Sequence, residues 1–188
     1  GGTLVEKCCH FFDLMRLIAQ SEPLKVYASG NQDVNHLNEK YDGMVPDILD
    51  NAFVIVDFEN GVRAFLDLCM FAENSEFQEE LCAVGTLGKV ETEVPSNKSG
   101  IASSDIRIGL REITPALKET IAVDPKILEA GNHHGSTYYE HQSFINAIRN
   151  NTKPEVSLND GLIAVAIGEA AEISIKEGRV VQMSEFNL

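Results

Sequence analysis

The tripeptide Glu59-Asn60-Gly61 stands between two apolar runs, NAFVIVDF (51–58) and VRAFLDLCMF (62–71). An Asn-Gly pair accepts the positive-φ backbone of a tight hairpin, so β-rich runs on either side are committed to antiparallel pairing. A two-stranded ribbon is marginal alone, which obliges the rest of the chain to supply more strands and a cover for the apolar face. Further strands are at hand. PLKVYASG (23–30) reads as a short strand, EELCAVGTLGKVETEV (79–94) as a second hairpin turning between Gly85 and Gly88, and SDIRIGLREI (104–113) alternates with period two. The polar stretch 31–46, NQDVNHLNEKYDGMVP, reads as a loop in which His36 is solvated.

Both ends of the chain switch to helical period. Leu4, Cys8, Phe11, Met15 and Ile18 recur at helix spacing, with Val5 and Phe12 on a second apolar arc, and Ser21-Glu22-Pro23 stops the segment. This predicts one largely buried helix from residue 2 to about 20. STYYEHQSFINAIRN (136–150) places Tyr138, His141, Ile145 and Ile148 on one side of another helix. Ser157 and Asp160 form an acidic variant of the capping box ahead of GLIAVAIGEAAEISIKEG, which carries a Glu172–Lys176 pair and stops at Gly178. RVVQMSEF (179–186) closes as a strand. The pattern predicts an α+β fold, an open and predominantly antiparallel sheet with helices packed on one face. With 188 residues and no internal linker or repeat, a single domain over 1–188 is expected.

Composition narrows the function classes. The net charge is −14, from 15 basic and 29 acidic residues, which argues against nucleic acid or an anionic membrane as partner. No apolar run reaches the roughly 18 residues a spanning helix needs. Cys8, Cys9, Cys69 and Cys82 lack C-x-x-C spacing. Reduced, mostly buried thiols and a cytoplasmic setting are the expectation.

Three clusters carry candidate chemistry. Glu6, His10 and Asp13 fall within an arc of roughly 60° on a continuous helix, whereas Lys7, about 100° away, points elsewhere. Two readings stand: a cleft-facing acid/base pair in which Glu6 orients His10, or a polar face turned to solvent. GNHHGSTYYEH holds His133, His134 and His141 beside Tyr138, Tyr139 and Glu140. It lacks the spacing of H-E-x-x-H, so recognition of a hydroxyl or anion and a plain polar loop both fit better than metal. Gly85–Lys89 only superficially looks like a phosphate loop, because a strand rather than a helix follows it; no G-x-G-x-x-G occurs in the chain.

GGTLVEKCCHFFDLM resembles the opening of the C-terminal domain of the Gfo/Idh/MocA oxidoreductases, the glucose-fructose oxidoreductase and inositol dehydrogenase family, which reads G-G-x-L-x-D-x-x-x-H-x-x-D. Gly1, Gly2, Leu4, His10 and Asp13 match, and Glu6 stands where that family has Asp. The run from Tyr138 to Met183 resembles the family's closing segment, and ENGVRAFLDL and GTLGKVE fit its central sheet. The resemblance implies the substrate half of an NAD- or NADP-dependent enzyme acting on a sugar or polyol hydroxyl. The nucleotide and a catalytic lysine would belong to an N-terminal Rossmann domain absent from these residues. It further implies His10 as acid/base, Glu6 as its partner, a small-molecule substrate, and homo-oligomers assembled through the β-sheet. Asp13, His134 and Tyr138 become candidate substrate contacts. The rival expectation is a non-catalytic binding or oligomerisation module on the same fold.

Overall fold

Strand β2 (Asn51–Phe58) turns through Asn60-Gly61 into β3 (Arg63–Cys69), pairing Ile55 with Phe65 as the hairpin signal requires. Asn60 does more than turn the chain. Its side-chain oxygen accepts from the Val62 N–H at 3.1 Å, and its amide donates to the Ala19 carbonyl at 2.8 Å. One orphan carbonyl at the end of a helix is thereby satisfied from the hairpin. This is a computed structural model that describes residues 2–96, 100–130 and 133–188. Gly1 and Gly131, which entered the motif readings above, lie outside the described residues.

The chain divides into two compact units, Gly1–Glu73 with Val156–Leu188, and Asn74–Glu155. The first holds a four-stranded antiparallel sheet in the order β3-β2-β1-β8, where β1 is Pro23–Asn31 and β8 is Val181–Gln182. Val26, Ala28, Val54, Val56 and Phe58 point to one face and are buried. That face is covered by α1 (Thr3–Glu6), α2 (Cys9–Ala19) and α5 (Leu158–Glu177), which bury Leu4, Cys8, Phe12, Ile167 and Ala171. Strand β8 is far shorter than the run 179–186 predicts. The chain leaves it for a 3-10 turn at Met183–Glu185, held by a box in which Glu185 accepts from the Gln182 N–H at 2.8 Å. The edge of β1 that β8 leaves uncovered is met by α5: the buried Ser174 hydroxyl accepts from the Ala28 N–H at 2.9 Å. An unpaired backbone donor inside the core is thus avoided.

The predicted single opening helix is two helices. Lys7 and Cys8 form a turn, where the Cys8 N–H reaches back to Thr3 O and the Phe11 and Phe12 N–H groups start again from Cys8 O. The first of the two helices packs tightly on α5. A Cβ on Gly168 would stand 2.6 Å from the Leu4 carbonyl, so only glycine lets α1 approach that closely. Glu172, expected to pair with Lys176, instead turns to the start of α1: a Cβ on Gly2 would lie 2.5 Å from its Oε1, which is buried without a hydrogen-bond partner among the described residues. Burial pushes the Glu172 carboxyl above its ordinary value. The capping box at Ser157 and Asp160 and the stop at Gly178 are as the sequence predicts.

The second unit carries its own antiparallel sheet, ordered β4-β5-β6-β7: Phe77–Gly85, Gly88–Pro95, Ser103–Leu110 and Leu117–Ala122. The Gly85–Gly88 turn joins β4 to β5, as read from sequence. Strand β7 and the short helix α3 (Pro125–Ala130) had no sequence signal assigned to them. Helix α4 spans Ser136–Asn150 and leaves Tyr138, Ile145 and Ile148 exposed. All four cysteines are free, but Cys69 and Cys82 are exposed rather than buried, because each faces outward in an alternating strand. Cys8 is the deep one, and burial raises its thiol to about 11. No helix among the described residues is long and apolar enough to cross a membrane.

Candidate active site

Thr3, Glu6 and Lys7 of the opening segment lie at a cavity of about 300 Å³ in the first unit, lined also by Asn35, His36 and Asp50 among others. Glu6 closes α1, so its carboxylate is carried at the helix end beside the turn. Both Glu6 and Lys7 are exposed, and neither makes an ion pair or side-chain hydrogen bond among the described residues. Lys7 was expected to point away from Glu6. It lines the same cavity as Glu6, at the C-cap of α1.

His10 sits in the first turn of α2, exposed, with its ring 4.0 Å from that of Phe11. It is not among the residues lining the cavity. Asp13, half-buried on the same helix, lies 3.7 Å from the Arg16 guanidinium. Arg16 also binds Glu22 at 2.8 Å and Asp160 at 3.2 Å, so Asp13 belongs to a knot of charges joining α2 to the start of α5. Those bonds keep the Asp160 carboxyl at about 2, through Ser157 first and Arg16 after it.

The opposite part of the cavity wall comes from the loop after β1, read from sequence as solvated. Asp50, 1 % exposed, is the reason this loop has a fixed shape. Its carboxylate accepts the backbone N–H groups of Asp33 at 3.0 Å, Val34 at 2.7 Å and Asn35 at 2.7 Å, and the Asn51 amide at 2.9 Å. Burial alone would raise this carboxyl; the hydrogen bonds from Asn35, Asp33, Val34 and Asn51 outweigh it and hold it far below the ordinary range. His36 follows with φ of 63° and its Nδ1 3.0 Å from Glu39. Sequence reasoning missed Asn35, His36 and Asp50. The signal available was the run of Asn and Asp residues from Asn31 to Asn35, side chains that build local turns.

His134 and Tyr138 lie in the second unit. His133, His134 and Gly135 are three successive residues with positive φ, at 60°, 50° and 86°. For the histidines this costs roughly 1–2 kcal/mol each. His134 places Nε2 3.2 Å from the Ile101 carbonyl, while Nδ1 is buried with no partner. Tyr138, in the first turn of α4, accepts from Gln142 at 3.1 Å and meets Tyr139 edge-on at 5.5 Å. His141 spends its Nδ1 on the Thr137 carbonyl at 2.7 Å. No group of three or more His, Cys, Asp or Glu residues among those described is placed to hold a metal ion. The described residues also form no dinucleotide cradle. Both sheets are antiparallel, and Gly85–Lys89 turns between two strands, whereas a pyrophosphate takes a glycine turn leading from a parallel strand into a helix N-terminus.

The chain is similar over nearly its whole length to known proteins. It is 25% identical across 98% of its residues to the myo-inositol 2-dehydrogenase of Thermotoga maritima, covering 50% of that protein. It is 28% identical across 97% of its residues to the uncharacterized oxidoreductase YrbE of Bacillus subtilis, covering 48% of that protein. The chain therefore spans about half the length of these curated relatives. Among solved structures, an Agrobacterium radiobacter oxidoreductase in complex with NAD+, L-tartaric acid and magnesium superposes with a TM-score of 0.68 at 19% identity, over 94% of this chain and 48% of that one. Residues 1–183 match the model of the oxidoreductase family's C-terminal alpha/beta domain, so the chain belongs to the Gfo/Idh/MocA family as its C-terminal domain.

Proposed function

We propose that the chain acts as one substrate-binding domain of an NAD- or NADP-dependent oxidoreductase working on a hydroxyl of a sugar, polyol or related compound. The observation that carries this reading is the unpaired Glu6 carboxylate at the wall of a cavity, in a chain of this family. A carboxylate left without a partner beside a cavity is free to accept from substrate hydroxyls. In this reading the Glu6 carboxylate binds and orients the substrate, and His10 takes the hydroxyl proton on oxidation and returns it on reduction. An imidazole with an ordinary pKa of about 6.5 suits that exchange near neutral pH. Asp13 is proposed as a further substrate contact in the same unit, while His134 and Tyr138, proposed as contacts from the family resemblance, belong to the second unit and are not assigned to this cavity.

The nicotinamide, when bound, supplies the hydride acceptor; it is held outside these residues, since they form no cradle for it. The T. maritima relative's name, a dehydrogenase of myo-inositol, and the NAD+ of the A. radiobacter structure support this class of chemistry. Relevant tests use the whole enzyme that contains this domain. His10→Ala is expected to lower kcat/KM by about 10²–10⁴ across a polyol panel, and Glu6→Gln to lower it by at least about tenfold. Full activity in His10→Ala would sink the assignment.

A cytoplasmic setting is proposed from the four free thiols. Assembly of identical subunits is proposed through the outer face of the first sheet. There Tyr27, Ile55 and Phe65 lie side by side in register, all exposed, and Phe53 stacks on Phe65 at 5.7 Å. This face also favours the second reading, a non-catalytic oligomerisation module. Sedimentation of a Phe65→Lys variant separates the two uses. Loss of the oligomer with activity kept leaves the enzyme reading standing, and an unchanged oligomer removes the sheet as the interface.

A further inference from the structure

The cavity wall is assembled from segments far apart in sequence, and their polar ties converge on one residue. We infer that Asp50 is a positioning residue for this cavity, its carboxylate holding Asn35 and His36 in the wall that Glu6 and Lys7 also line. The inference rests on the proposed reading that substrate occupies this cavity.

Four observations support it. The carboxylate is 1 % exposed and receives three consecutive backbone N–H groups, so the loop from Asp33 to Asn35 is wrapped around a single acceptor. The Asp50 backbone is itself fixed on both sides: its N–H donates to Asn31 O at 3.1 Å, and its carbonyl accepts from Met70 N–H at 2.8 Å. Asn35 then reaches across with its amide to the Met70 carbonyl at 3.2 Å. Finally, the Thr3 hydroxyl donates to the Leu49 carbonyl at 2.6 Å, tying the start of α1 to the residue before Asp50. Thr3, Asn35, Leu49, Asp50 and Met70 all line the cavity. The buried anion thus fixes the loop that leads to His36, and the neighbouring Leu49 carbonyl ties the same stretch of backbone to the helix that carries Glu6.

The chemistry requires a carboxylate. Only an ionised carboxyl offers enough lone pairs to accept three backbone donors and an amide at once; an asparagine in its place turns an NH₂ group toward donors and leaves them unpaired. A role of this kind shows in binding rather than in the chemical step. A displaced wall weakens ground-state contacts, which raises KM with kcat little changed, whereas a purely structural role lowers the active fraction and kcat.

The test uses the whole enzyme. In Asp50→Asn, amide hydrogen exchange at residues 33–35 is expected to quicken by at least about tenfold, with KM for the polyol raised about tenfold and kcat within about twofold. Faster exchange with unchanged KM would overturn the inference, as would a fall in kcat with KM held. Should Asp50→Asn not fold, Asp50→Glu replaces it: it keeps the charge but displaces the acceptor by one methylene, so faster exchange at 33–35 with a smaller rise in KM is expected, and faster exchange with an unchanged KM overturns the inference. Glu6→Gln measured alongside keeps the two claims apart. A loss there with no KM change at Asp50 removes the positioning role alone, and a KM rise at Asp50 with Glu6→Gln fully active removes the catalytic reading alone.

Discussion

In the first unit Val26, Val54, Val56, Phe58 and Ile167 are at most 1 % exposed, whereas in the second every residue of β7 is exposed. The buried side chains of the first unit alternate along β1 and β2 against α2 and α5, so any slip by one residue would turn that whole set to water. The second sheet is joined by its backbone ladders and by ion pairs across strands, Lys118 to Asp105 at 2.6 Å and Arg107 to Glu93; Lys89 pairs with Glu91 at 2.6 Å along β5 itself. The exposed pairs of Lys118 and Lys89 contribute little individually. The difference teaches that the apolar core is concentrated in the unit that carries Glu6 and Asp50, while the second sheet is joined by backbone ladders and ion pairs with far less buried apolar surface.

The largest effect that could break this comparison is a cavity in the first core. Phe12→Ala should lower unfolding stability by about 3–5 kcal/mol, read from urea midpoints, since the ring is fully buried between α2 and its neighbours. A loss no greater than that of a surface truncation would mean the first unit is not organised by its core.

A middle-sized effect concerns pH. Asp160 in the folded chain titrates at about 2, against roughly 4 unfolded. Its contribution is therefore complete above the unfolded value and is lost as the pH falls through about 4 towards 2. Asp160→Asn should flatten the acid side of the stability–pH curve in that window and leave the neutral side parallel. A curve of unchanged steepness would show that the knot of Ser157, Asp160 and Arg16 does not form.

The smallest effect belongs to the second unit. Lys118→Ala should shift stability by no more than about 0.5 kcal/mol, because its side chain is 58% exposed in the pair with Asp105. A loss comparable to that of Phe12→Ala would overturn the contrast between the two units.

Much of this was legible from residues. Asn60-Gly61 gave the first hairpin, Ser157 and Asp160 the start of α5, and the alternation of 104–113 its strand. What escaped was whatever depends on tertiary approach. The break at Lys7–Cys8 accompanies the close approach of α1 to α5 that Gly168 permits, and no local pattern in 2–20 marks it. Asp50 has no motif either; its role comes from burial among backbone donors of a loop whose polar composition resembles any solvated turn. His10 and Glu6 were singled out by spacing, yet only Glu6 lines the cavity, because the helix that would have stacked them is interrupted between them.

The central claim is that a polyhydroxyl substrate sits in the cavity beside Glu6. Its most direct test is amide chemical-shift mapping of the whole enzyme titrated with a polyol. The account predicts saturable shifts concentrated at Thr3, Glu6, Lys7, Asn35 and His36, and their loss in Glu6→Ala. Saturable shifts that leave those residues unmoved would contradict it.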